Sequence, residues 1–140
     1  MATFDIRKLS LTIGTHIVSD FAAGSTVEVT ADDDAYTTTP DANSNSNRYS
    51  KNNNNYTMTL PLDQASPSND VLSGFFALDK LNNSGSFPLV MKDDNGTTLV
   101  SCLTAYIERP ADASFGLEAV DKVWTIKLTE ANYFVGGFGQ

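Results

Sequence analysis

The chain has 140 residues, 41% of them hydrophobic, with 17 acidic side chains against 9 basic ones and a formal net charge of −8. That length suits one domain with a core of its own, and the composition excludes a disordered tail, a collagen-like fibre and a disulfide scaffold. The single cysteine, Cys102, permits neither an intramolecular disulfide nor a thiolate zinc site.

Leu9, Leu11 and Ile13 recur at period two and predict a half-buried strand. Gly14 and Thr15 predict a turn, and residues 16–18 the start of a second strand. Next, Val27 and Val29 alternate with Thr26, Glu28 and Thr30, which predicts a strand with one apolar and one wet face. An acidic run at 32–34 interrupts, and residues 35–39 are β-prone up to Pro40. Residues 41–55 hold seven asparagines, a residue that favours turns and caps over element interiors. They predict a long polar loop, about 40–56, inside one domain. The alternation of Tyr56, Thr57, Met58, Thr59 and Leu60 resumes directly after it.

A helix is predicted over 67–81, with Ser66 as its cap and Pro67 in the first turn. Val71, Leu72, Phe75, Phe76, Leu78 and Leu81 form an apolar stripe at helical spacing, and the polar run 82–85 ends it. A short strand over 87–92, a hairpin turn at 93–96, a long strand over 97–109 and a last strand over 121–129 follow. The tail is aromatic and glycine-rich. The expected fold class is mainly β, an antiparallel β-sandwich or partial barrel with one flanking helix, in a single domain.

Catalytic sets are missing from this pattern. His16 is the one histidine, and no G-x-S-x-G elbow, phosphate-cradling glycine loop or EF-hand loop is present. Cys102 reads as a buried inert thiol, and the acidic residues at 32–34 as a solvated strand edge that deters unwanted pairing. The acidic balance argues against gripping phosphates, which takes clustered Lys and Arg. No 18-residue apolar run exists to cross a membrane, and the first residues do not read as a secretory signal. No cofactor, metal or catalytic residue is expected; a domain of this kind binds or assembles.

The ordered set of short motifs resembles a family. Ser66, Pro67, Ser68, Asn69 and Asp70 open the helix; Phe87, Pro88, Leu89 and Val90 follow, then Lys92 through Thr97, Ile107 to Pro110, Phe115 with Gly116, and Phe134 to Gly137. Residues 17–24 also fit. Over about residues 5–138 the chain is similar to the tail tube proteins of contractile-tailed bacteriophages. The asparagine-rich stretch matches no signature of that family.

The resemblance implies a virion protein of the tail, assembled in the host bacterial cytoplasm. Its subunits would form hexameric rings that stack helically into an inner tube, their strands joining edge to edge into one barrel. The implied partners are other copies of the chain, the tail sheath protein, and the baseplate and tail terminator proteins. Tape-measure protein and genomic DNA would lie in the lumen without sequence-specific binding, and no membrane partner is implied. Residues 26–30 and 56–60 are expected to pair and line the lumen with Thr26, Glu28, Thr30, Thr57 and Thr59, because a like-charged wall lets DNA slide. Arg48, Tyr49, Lys51, Asn54 and Tyr56, with Phe134 and Phe138 of the tail, are the expected contacts between subunits or rings. The alternatives are another virion structural or decoration domain, or a β-sandwich module that binds calcium or carbohydrate.

Overall fold

The computed structural model describes residues 9–136 except 20, 23–25, 44, 52–53, 94–95, 115–116 and 118–119. Among the described residues, ten strands and one helix run in the order β1 (Leu9–Ile13), β2 (His16–Ile17), β3 (Glu28–Ala31), β4 (Tyr36–Pro40), β5 (Ser46–Ser50), β6 (Tyr56–Leu62), α1 (Ser68–Asn82), β7 (Phe87–Asp93), β8 (Leu99–Arg109), β9 (Lys122–Thr129) and β10 (Asn132–Phe134). The fold is mainly β, antiparallel throughout, with one helix. The principal sheet has the order β2-β1-β7-β8-β9-β6-β3, with β10 beside β8; β4 and β5 form a separate two-stranded ribbon.

Period-two alternation makes the core. On β7, Phe87, Leu89 and Met91 are buried while Pro88, Val90 and Lys92 are exposed, and β9 buries Trp124, Ile126 and Leu128 in the same way. Leu11 and Ile13 of β1 share one core cluster with Met58, Leu60 and Leu62 of β6. Those two strands stand four places apart in the sheet, about 19 Å if it were flat. The sheet therefore coils on itself, helped by irregularities near Pro88 and Glu108 where register shifts. Of the two expected architectures, the partial barrel is the one formed.

The chain after β2 closes the barrel. It crosses from the β1 edge to the far edge of β6, where Phe21 bridges Leu62 and the Ala22 N–H donates to the Pro61 carbonyl at 3.2 Å. A polar hub holds this crossover to the start of α1. Ser66 Oγ donates to the Ser19 carbonyl (2.7 Å), and the Ser19 N–H donates to Ser68 Oγ (3.2 Å). Ser68, fully buried, also bonds His16 Nε2 at 2.8 Å. Asn69 donates to the Asp63 carbonyl (3.0 Å) and accepts from Trp124 Nε1 (2.9 Å). His16 thus has a structural partner.

The helix stops as its sequence directs. Asn83 takes the left-handed conformation with φ of 59°, and its N–H bonds the Asp79 carbonyl. Gly85 then passes so close that a Cβ there would lie 2.1 Å from the Phe75 carbonyl oxygen. Its cap differs by one residue from expectation: Pro67 is the boundary, but Ser66 Oγ still accepts the Ser68 N–H at 3.2 Å. The apolar stripe is only partly covered. Leu72 is buried, Phe75 stacks obliquely on Phe87 at 4.7 Å, and Leu78 and Leu81 remain exposed.

The long loop expected over 40–56 is corrected. Residues 46–50 form β5, paired in full register with β4 from Tyr36↔Ser50 to Pro40↔Ser46. Both faces of this ribbon are exposed, so no buried side supplied the hydrophobic alternation by which strands are read. The tail also carries an unexpected strand: β10 keeps the register on β8 that β9 sets, after a kink at Glu130 with φ of 51°. The hairpin turn expected at 93–96 lies partly outside the described residues.

Ser68→Ala strands the Ser19 N–H and His16 Nε2 together. Both groups are only partly shielded, so the loss should stay at or below about 1 kcal/mol. Urea denaturation should show a lower midpoint with an unchanged slope; an unchanged midpoint would remove the hub's role in closing the barrel.

Candidate assembly surfaces

Two surfaces carry the residues singled out from sequence. The first is the outer face of the sheet. Glu28 lies opposite Thr59 and Thr30 opposite Thr57, so the two segments pair as expected. Directly opposed residues share a face, and that face continues to Thr125 and Lys127 on β9 and Tyr106 on β8. Thr26 is exposed just before β3.

Sequence reading missed the cation on this face. Lys127 forms an ion pair with Asp32 and approaches Glu108 at 3.7 Å. Asp32 also accepts a 2.5 Å hydrogen bond from the Thr57 hydroxyl. The Lys127 ammonium, then the Thr57 hydroxyl, hold the Asp32 carboxyl below its ordinary value of 3.8, and Asp32 in turn raises the Lys127 ammonium. Asp33 is likewise lowered, first by the Lys51 ammonium, which lies 3.0 Å away. Two of the three aspartates at 32–34 thus have cationic partners. Among the described residues, no group of three or more His, Cys, Asp or Glu side chains converges to hold a metal.

The second surface is the β4–β5 ribbon, which extends the β3–β6 hairpin: the Asp32 N–H donates to the Asn55 carbonyl and the Lys51 N–H to the Ala35 carbonyl. Arg48 lies over the Tyr36 ring at 4.1 Å, its diagonal neighbour on one ribbon face, and Tyr49 is exposed on the other. Asn54 and Tyr56 are engaged within the chain. The Asn54 carbonyl accepts from the Ala131 N–H, and Tyr56 stacks on Tyr133 at 4.5 Å. Phe134 is 60% exposed, near the exposed Leu99 opposite it on β8. Phe138 lies outside the described residues. The structure therefore gathers Glu28, Thr30, Thr57 and Thr59 on one face and Arg48, Tyr49 and Lys51 on the arm, and it separates Asn54 and Tyr56 from both.

No family model matches the chain. The chain is 28% identical over 124 residues to "Structural protein ORF10" of Pseudomonas phage KPP10, covering 87% of this chain and 72% of that protein. Its fold is similar to those of chains in several solved structures. A chain from the sheath/tube terminator structure of the extracellular contractile injection system PVC, in the extended state, superposes with a TM-score of 0.69 at 13% identity, covering 96% of this chain and 99% of that one. A chain from the anti-feeding prophage cap, the AFP tube terminating cap, gives 0.66 at 11% identity, with 97% and 93% covered. A chain from the PVC sheath-tube complex in the extended state gives 0.60 at 15% identity, with 94% and 93% covered. At these identities the likeness establishes a shared fold.

The Asp32–Lys127 pair has a definite pH signature. Because the folded carboxyl is lowered, its stabilisation is present above 3.8 and is lost as pH falls through the lower folded value. Because the ammonium is raised above 10.5, its contribution is complete below that pH and disappears at more alkaline pH. Asp32→Asn should lower stability at neutral pH by less than about 1 kcal/mol. The gap to the natural protein should close as pH falls below 3.8 and through the lowered folded value; denaturation midpoints at a series of pH values would show a constant gap if the pair contributes nothing.

Proposed function

We propose that this chain is a structural subunit of a contractile tail or injection machine, built into a ring at the end of its tube. It is a structural protein and not an enzyme. The observation that carries this reading is the end-to-end match, 96% of this chain and 99% of the other, with a chain from a sheath/tube terminator structure. The tube-terminating cap supports the same placement, and the phage relative's description as a structural protein supports a virion tail component.

The inner-tube reading remains as the second one, because a chain from a sheath-tube complex shares the fold as well. Both readings make the same physical demand. Strand edges are closed by neighbouring copies, and the arm is covered by a neighbour. Both imply contact with sheath, and a tube reading adds baseplate, tape-measure protein and DNA in the lumen. The threonine-rich face with Glu28 would then look into that lumen, since a wall without cationic clusters does not trap phosphates.

Negative-stain electron microscopy of the concentrated protein separates the two. A terminator should give discrete six-fold rings that do not stack; an inner tube should give hollow tubes of indefinite length. Monomers that also fail to bind the open end of preformed tubes would overturn both. Replacing residues 43–54 by a short turn should keep the fold and abolish ring or tube growth. Glu28→Lys should leave assembly largely intact.

A further inference from the structure

The outer face of the sheet is divided. Its β3, β6 and β9 side is threonine-rich, whereas its β7, β8 and β10 side carries a groove with apolar walls. Val90 stands opposite Ser101, and Ser101 opposite Asn132, so the three form one row across β7, β8 and β10. Beside that row the register shifts: Phe87 faces Ala105 and Leu89 faces Cys102, so Leu103 and Thr104 together oppose Pro88. Both residues of this bulge are turned out, and Leu103 is 88% exposed. On the other side the kink at Glu130 separates Thr129 of β9 from Asn132 of β10. The result is a groove of about 410 Å³. Pro88, Val90 and Leu103 give it an apolar side, and Ser101 and Asn132 a polar one. These five side chains are open to solvent in whole or part. Glu130 borders the groove, and among the described residues no lysine or arginine does.

We propose that this groove takes Tyr49 from the β4–β5 arm of a second copy of the chain. The proposal rests on the assembly reading above and names the surface that the arm meets. Three observations select the arm. First, it is seated on nothing in its own chain, since all ten residues of β4 and β5 are exposed. Second, its two faces differ. Arg48 and Tyr36 brace each other on one, while Tyr49 stands 58% exposed on the other. A tyrosine buries a broad ring and keeps its hydroxyl for a polar neighbour, which suits a groove with one apolar and one polar side. Third, charge is complementary. Residues 35–51 hold Arg48 and Lys51 against Asp41, a net +1, so the rest of the chain carries −9. The arm is thus the part of one copy that the acidic body of another attracts, and a groove bordered by an acid and no base does not oppose it. Arm and groove are different surfaces, so the contact is heterologous and can pass from copy to copy around a ring.

Photo-crosslinking of the full chain tests the contact directly. Benzoylphenylalanine takes the place of Tyr49, and the labelled chain is mixed with a heavy-isotope copy, irradiated and digested. Heavy peptides from residues 87–104 should be captured. The same probe in place of Thr38, on the opposite ribbon face, should capture them several-fold less. Two variants then check the energetics: Tyr49→Ser damages the arm and Leu103→Asn the groove. Both positions are exposed, so each variant should keep the natural denaturation midpoint. Sedimentation should show each associating with itself at least about tenfold more weakly than the natural chain. An equimolar mixture should pair several-fold more tightly than either variant alone, because it rejoins one intact arm with one intact groove. Crosslinks to another surface of the heavy copy, or a mixture no tighter than its parts, would overturn the groove and leave the assembly reading standing. Capture of the light 87–104 peptide alone would overturn the second copy as occupant in favour of the chain's own arm. Chains that stay monomeric and give no crosslink would overturn the groove and count against the assembly reading with it.

Discussion

Closure of the barrel rests on a few hydrogen bonds at the start of the helix. A sheet ordered β2-β1-β7-β8-β9-β6-β3 has two ends, and the chain between β2 and β3 must span them. Its described residues lie outside the named strands, so side chains help to satisfy their backbone groups. Ser66 and Ser68 do this for both the N–H and the carbonyl of Ser19. Asn69 extends the hub to Trp124 on β9. One short segment therefore caps the helix, fixes the crossover and orients a core aromatic. Once it is set, Leu11, Met58, Leu72 and Ile126 can meet in one core.

The same closure leaves specific things unfinished. Among the described residues, β3 pairs on one side only and β10 only with β8. The β4–β5 ribbon has ten exposed residues and no core. An isolated two-stranded ribbon is marginal in water. Here it gains from continuity with the β3–β6 hairpin, from the Arg48–Tyr36 contact and from the Lys51–Asp33 ion pair. These hold it together without covering it. An ordered arm with both faces wet is a shape suited to a neighbour that supplies the missing surface.

What could be read from sequence was whatever has a buried face. The strands at 9–13, 56–62, 87–93 and 122–129 alternate because one side meets the core, and the helix carried a recognisable start and stop. The pairing of residues 26–30 with 56–60 was expected from their alternation, whereas the register that sets Glu28 opposite Thr59 and Thr30 opposite Thr57 was not. Residues 46–50 were not legible, since β5 is held by β4 and not by burial. Leu78 and Leu81 continue the spacing of the helix stripe but stay exposed in the single chain. The hub's long-range bonds join residues 47 to 55 positions apart, beyond any local pattern, so its serines could be seen only as a cap.

Charge constrains how such a subunit can associate. Each copy brings a formal −8, and the one lysine that pairs on the threonine face is shared between Asp32 and Glu108. Surface ion pairs of this kind contribute little net energy, and the summed field between copies is repulsive. Attraction must come from elsewhere. Leu103 is 88% exposed, and Phe134 and Val135 are 60% and 63% exposed. Leu99 and Phe134 are directly opposed across β8 and β10, beside a strand edge open among the described residues. Apolar contact and backbone pairing are short-ranged, whereas the repulsion extends over a Debye length of about 8 Å at physiological salt. Salt therefore weakens what opposes association and leaves what drives it in place, the reverse of a protein whose assembly depends on gripping nucleic acid.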